Sequence, residues 1–183
     1  RAHVNFWPLG STTVNHYNLL RNVVSWAGHS NTYIKLLLLY ADTESNFQNG
    51  NLTNELSSVA STIHGPGDVP GSTWNPSQPY NYNIPNIEVF NDYDVIIAWG
   101  NFRFNNKTII SQALVNYMDQ GGSLISTQFN MGNDLVFDPN VFTFDNYLLW
   151  DPNTDVIDYG TATFDSLTVS HELFQNVGSF TSR

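Results

Sequence analysis

Apolar residues recur at helical spacing between Thr13 and Ala27, at Leu20, Val23, Val24 and Ala27, and this predicts a helix. Ser11, Thr12 or Thr13 can cap its start, and Gly28 stands where a helix stop is expected. Ahead of it, HVNFWPL (residues 3 to 9) reads as a strand that ends at Pro8. After a polar turn, YIKLLLLYAD is apolar on both faces, as in a central strand covered by helices on each side, and the expected strand is 33 to 41. Leu52, Leu56, Val59 and Ile63 then share one helical face, predicting a helix over 52 to 63 that closes at Gly65.

The period breaks in GPGDVPGSTWNPSQPYNYNIPN (65 to 86). A loop this long inside a compact domain is uncommon, and its aromatic side chains predict that it is ordered against something. DYDVIIAWG (92 to 100) predicts a second buried strand. A helix from Lys107 to Gln120 follows, with Ile110, Ala113, Leu114, Tyr117 and Met118 facing inward, and Gly121 and Gly122 end it. SLISTQF predicts a third central strand, and short strands are expected near 141 to 150 and 161 to 169. Alternating strands and helices predict an α/β protein, a flavodoxin-like three-layer fold with a mainly parallel central sheet. One domain spans 1 to 183, with 1 to 28 as a strand-helix segment and 33 to 183 as the main body.

Composition narrows the function. Hydrophobic residues make up 41% and charged residues 12%, so there is enough apolar surface to fold and the exterior is mostly uncharged polar. Six basic against sixteen acidic residues give a net charge of −10, which argues against nucleic acid as a partner. The longest apolar run, around Leu36 to Leu39, falls short of the roughly 20 residues of a membrane span, so no membrane insertion is expected. Cysteine is absent, which removes thiol catalysis, disulfides and thiolate metal sites. The sequons at Asn51 and Asn106, with few lysines and an Asn/Thr-rich surface, point to the cell exterior.

The order DYDVIIAWG, a helix, GGSLISTQ and a following turn resembles the class I glutamine-amidotransferase-like superfamily, which includes trehalose-utilisation-like proteins and an accessory domain of some β-galactosidases. The resemblance covers about 33 to 132 in pattern and implies a Cys nucleophile at the end of the GGSLISTQ strand and a His base after a late strand. Gln128 stands at the first position, and a carboxamide cannot be activated as a nucleophile. A strand with the base is missing from the C-terminal half, but NFWPLGS resembles it, with Trp7 where the His would be. The resemblance therefore implies a catalytically empty, circularly permuted domain, whose segment 1 to 28 completes the sheet of its own chain, of a neighbouring repeat or of another subunit.

Other chemistry is weaker. Asp151, Asn153, Asp155 and Asp158 alternate like calcium ligands, but Val156 and Ala162 stand where an EF-hand needs Gly and Glu, so an Asp/Asn-capped turn is the better reading. YADTESNFQNGN lacks the glycines of a phosphate cradle, and Asp42 lacks the acidic partners of a phospho-receiver. His3, His16, His29, His64 and His171 show no metal-binding spacing, and Ser123 or Ser126 has no nucleophile elbow. No cofactor is expected. The aromatics Trp74, Tyr80, Tyr82, Phe102 and Phe104, with Phe129, Phe142 and Tyr147, mark loops that can anchor a protein interface.

The function expected from these features is a non-catalytic extracellular structural or assembly module, one repeat or subunit of a filament or surface layer, that partners itself. The competing expectation is a carbohydrate-binding or carbohydrate-active protein using its aromatic loops on glycans. A third is a hydrolase using Asp42 or a strand-end Ser.

Overall fold

The computed structural model describes residues 13–29, 31–41, 49–75, 77–78, 87–100, 104–126, 137–138, 140–142, 162–164, 171–177 and 180–182. Helix α1 (Thr13–Ala27) leads to strand β1 (Lys35–Ala41), helix α2 (Asn49–Leu56) and strand β2 (Thr62–His64). Strand β3 (Val95–Gly100), helix α3 (Lys107–Asp119) and strand β4 (Ser123–Ser126) follow. A separate antiparallel ribbon pairs β5 (Ala162–Phe164) with β6 (Phe180–Ser182).

Among the described residues the main sheet has four strands, all parallel, in the order β2-β1-β3-β4. This is the flavodoxin-like α/β arrangement, in which the chain steps outward from β1 on one side and then returns to build the other. Each central strand feeds both faces by simple alternation. Leu36, Leu38 and Tyr40, with Val95, Ile97 and Trp99, join Leu20 and Val24 of α1 and Leu52 and Leu56 of α2 in one core layer. Leu37, Leu39 and Ala41, with Ile96 and Ala98, join Ile110, Leu114 and Tyr117 of α3 in the other. The result is three layers, with α1 and α2 on one face and α3 on the opposite one.

Helix α1 and strands β1 and β3 follow the apolar pattern closely. The helix expected over 52 to 63 does not. It ends at Leu56, because Ser57 and Ser58 turn their hydroxyls back onto the carbonyls of Asn54 and Glu55. The chain then crosses to β1 through Ser61 N–H donating to Ile34 O at 2.9 Å, and Ile63 becomes part of β2, opposite Leu36. Leu52, Leu56, Val59 and Ile63 do reach the same apolar layer, but from α2, the turn after it and β2. Shared burial imitated one helical face.

Strand β4 is the last strand in the order among the described residues, and all four of its residues are half-buried. Of the two short strands expected late in the chain, 162–164 is present, whereas 141–142 is a turn and 143–150 lies outside the described residues, as does the strand expected over 3 to 9.

The helix stops also differ from the simple expectation. At the end of α1 the left-handed residue is His29 (φ 54°), and Gly28 is needed for space, since a Cβ there would lie 2.5 Å from Ile34 Cδ1. At the end of α3 the two glycines divide the work. Gly121 takes φ 94° as its N–H reaches Met118 O and the Gly122 N–H reaches Tyr117 O, a Schellman closure. Gly122 makes room for the Tyr117 ring, which a Cβ would approach to 2.3 Å.

Candidate functional site

In an open α/β sheet the chemistry belongs at the carboxyl ends of the strands, where the chain changes direction, here between β1 and β3. Tyr40 and Trp99 are in-register partners at that point, so their side chains leave the sheet on the same face. They stack with ring centroids 4.6 Å apart and planes at 14°, and both are fully buried, at 1% and 0% exposure. Trp74, from the loop after β2, meets Tyr40 edge-on at 5.5 Å and packs against both core layers. Three aromatic rings thus pack together on one face of the sheet near the carboxyl ends of β1 and β3.

The loop that delivers Trp74 is built to hold it. Gly65 N–H donates to Asp68 Oδ2, Ser72 Oγ donates to Pro66 O at 2.6 Å, and Gly71 turns the chain at φ 75°. Pro66 and Val69 are buried, so residues 65–75 are folded onto the body, while 76 and 79–86 of the loop expected to be ordered lie outside the described residues.

The start of α3 is packed in a similar way. The Thr108 hydroxyl donates to Asp138 Oδ2, Asn140 N–H donates to Asp138 Oδ1 at 3.0 Å, and Asp138 N–H donates to Ser111 Oγ at 2.8 Å. The Thr108 hydroxyl first, and then the Asn140 backbone amide, hold the Asp138 carboxyl below its ordinary range; the nearby Lys107 charge adds to this.

The residues singled out from the sequence are placed as follows. Phe104 is buried in the layer under α3, and Trp74 is half-buried. Asn106 holds the N-cap position of α3 with its Oδ1 buried, and Asn51 lies within α2. Ser123, considered as a nucleophile, spends its hydroxyl on Ala27 O at 2.7 Å, joining β4 to the end of α1. His64 Nδ1 lies 2.8 Å from the Tyr93 hydroxyl, and His171 Nδ1 accepts from Leu173 N–H, both as local structural contacts. Gln128, Trp7, Tyr80, Tyr82, Phe102, Asp42, Asp151, Asn153, Asp155 and Asp158 lie outside the described residues. Among the described residues no group of His, Asp and Glu is arranged to hold a metal ion, and no helix is long and apolar enough to cross a membrane.

The large exposed apolar side chains among the described residues are ones the sequence reading passed over: Trp26 (51%), Tyr33 (75%) and Ile109 (53%). Trp26 lies off the apolar stripe of its helix, which is the signal that would have found it. Comparison with protein-family models, with curated proteins and with solved structures gives no match to this chain.

Proposed function

We propose that this chain is a non-catalytic, extracellular structural or assembly module that associates with copies of itself. The observation that carries the reading is the stacked Tyr40–Trp99 pair capped by Trp74 at the β1/β3 crevice. Buried rings there give tertiary stability, at the expense of the space a substrate would need. It agrees with a degenerate amidotransferase-like domain whose reactive positions hold Gln128 and Trp7. The exposed Trp26, Tyr33 and Ile109 supply apolar anchors for association.

The handedness of parallel crossovers favours the segment before α1 as the joint. Helix α1 shares its face with α2, on the side opposite α3. A strand over residues 3 to 9 that entered α1 from beyond β4 would make a right-handed crossover into β1, and one placed beyond β2 would make a left-handed one, which is rare. Assembly follows when that strand is supplied by a neighbouring copy. Because Leu20 and Val24 of α1 are core residues, removing the whole of 1–28 would unfold the chain in either case; removing residues 1–12 is the informative deletion.

Electron microscopy of the native protein, with light scattering for mass, tests the reading. Filaments or sheets with a period of one domain, lost on deleting residues 1–12, are expected. A single species near 20.6 kDa at every concentration overturns it.

A further inference from the structure

At the opposite end of the sheet, where the strands begin, three turns surround a cleft of about 370 Å³. They are the turn after α1 (Gly28, His29, Asn31), the turn into β3 (Asn91, Tyr93, Asp94) and the end of α3. Its volume is within the ~300–1,000 Å³ of small-molecule sites. The cleft is independent of the aromatic cluster described above and of the assembly reading.

Its walls are pre-organised. Asp94 joins two strands, with its N–H donating to Lys35 O at 2.9 Å and its Oδ2 accepting from Lys35 N–H at 2.8 Å. The buried Tyr117 hydroxyl donates to Tyr93 O and accepts from Ser123 N–H, both at 3.1 Å. The end of α1 is tied to β4 through Ser123 Oγ. The rim is polar and exposed: Asp94, His29, Asn31, Asn91 and Gln120.

Three features give the cleft a sign. Helices α1 and α3 both end in it, and helix C-termini carry partial negative charge. Asp94 places a carboxylate in the exposed rim of the cleft, where its Oδ2 accepts from Lys35 N–H. The carboxamides of Asn31, Asn91 and Gln120 offer oxygen acceptors, and neither Lys nor Arg lines the cleft. An anion would meet a carboxylate and two negative helix ends, so phosphate-like ligands are disfavoured. From this geometry we infer that the cleft binds an organic cation, an ammonium or guanidinium group seated on Asp94 between the C-termini of α1 and α3. A guanidinium suits it well, because several planar donors can meet the carboxylate and the carboxamide oxygens together. The cation has two possible sources, a free amine or a Lys or Arg side chain of another copy.

The test is an amide-resolved NMR titration of the full chain with agmatine, with glucose and acetate as neutral and anionic controls. Saturable shifts at Gly28, His29, Gly121 and Gly122 are expected with agmatine alone. Asp94→Asn keeps an oxygen for Lys35 N–H and should weaken agmatine about tenfold, the loss of one charge-assisted contact. Asn91→Asp should strengthen it several-fold. Light scattering with and without agmatine separates the sources: a fall in mass identifies a neighbour's side chain, and an unchanged mass with binding identifies a free amine. Shifts that do not saturate, that spread over the acidic surface, or that survive unchanged in Asp94→Asn overturn the assignment. That result would leave the assembly reading untouched, since microscopy decides it separately.

Discussion

The two ends of the parallel sheet are built differently. Toward the carboxyl ends of β1 and β3, Tyr40, Trp99 and Trp74 pack together in the layer under α1 and α2, and in the opposite layer the Thr108–Asp138–Ser111 network secures the start of α3. At the amino ends the strands are held together from below by Asp94, Tyr117 and Ser123, while the turns leave a polar cleft open above glycine backbone. Among the described residues, those near the end at which α/β folds usually work are packed like a core, and a cleft lies at the end that usually serves stability. A shared architecture therefore does not locate a site; which end is filled has to be read from side chains.

Truncating the packed end should cost most. Trp99→Ala removes a fully buried ring stacked on Tyr40, and a loss of about 3–5 kcal/mol is expected in urea unfolding. This is a large part of the ~5–15 kcal/mol typical of a domain. A loss below about 1 kcal/mol would mean that the carboxyl end is not core, and the contrast between the ends would fail.

The open end should be sensitive through its braces. Tyr117→Phe leaves the Ser123 N–H and Tyr93 carbonyl without their hydroxyl partner, at a cost of about 1–3 kcal/mol. Burial pushes the Tyr117 hydroxyl up to about 12 from its ordinary value of 10.0. Since the folded value is raised, this stabilisation is complete below pH 10 and is lost as pH climbs through about 12. The Phe variant should show a shallower alkaline decline in thermal melts over that interval.

Two glycine substitutions separate space from backbone conformation in the same turn. Gly122→Ala drives a Cβ into the Tyr117 ring, for about 1–3 kcal/mol, and should also disturb the cleft. Gly121→Ala meets no atom within 4 Å and pays only for φ 94°, about 1 kcal/mol. Chemical denaturation of the pair checks the order; equal costs would mean that the ring moves aside freely.

An equally small effect belongs to Thr108→Val at the start of α3, about 1 kcal/mol near neutral pH. Because the Asp138 carboxyl is held low in the folded state, its contribution is present above the ordinary carboxylate range and disappears as pH falls through the lowered value. Removing the Thr108 hydroxyl should bring acid unfolding on at a higher pH than in the parent, as followed by circular dichroism. An unchanged acid limb would show that the network does not strap α3 down.

Much of the fold was legible because burial on both faces leaves a continuous apolar run. YIKLLLLYAD and DYDVIIAWG could be little else than central strands, and α1 and α3 carry an uninterrupted stripe. Period alone could not tell one helix from a helix followed by an edge strand when both face the same layer, so β2 was missed until the Ser57–Ser58 turn and its pairing with β1 were seen. The candidate site was legible only as residue types. Tyr40, Trp74 and Trp99 are 59 residues apart at their extremes, and only the register Tyr40↔Trp99 and the folded loop after β2 bring them into one stack. The cleft was invisible in the sequence, because its lining comes from three separate turns of ordinary polar composition. Local chemistry along the chain determined which segments are strands and helices, through apolar period and helix-ending glycines. Tertiary structure decided which rings stack and which turns meet around the cleft, since that depends on register and on long-range contacts that no local pattern records.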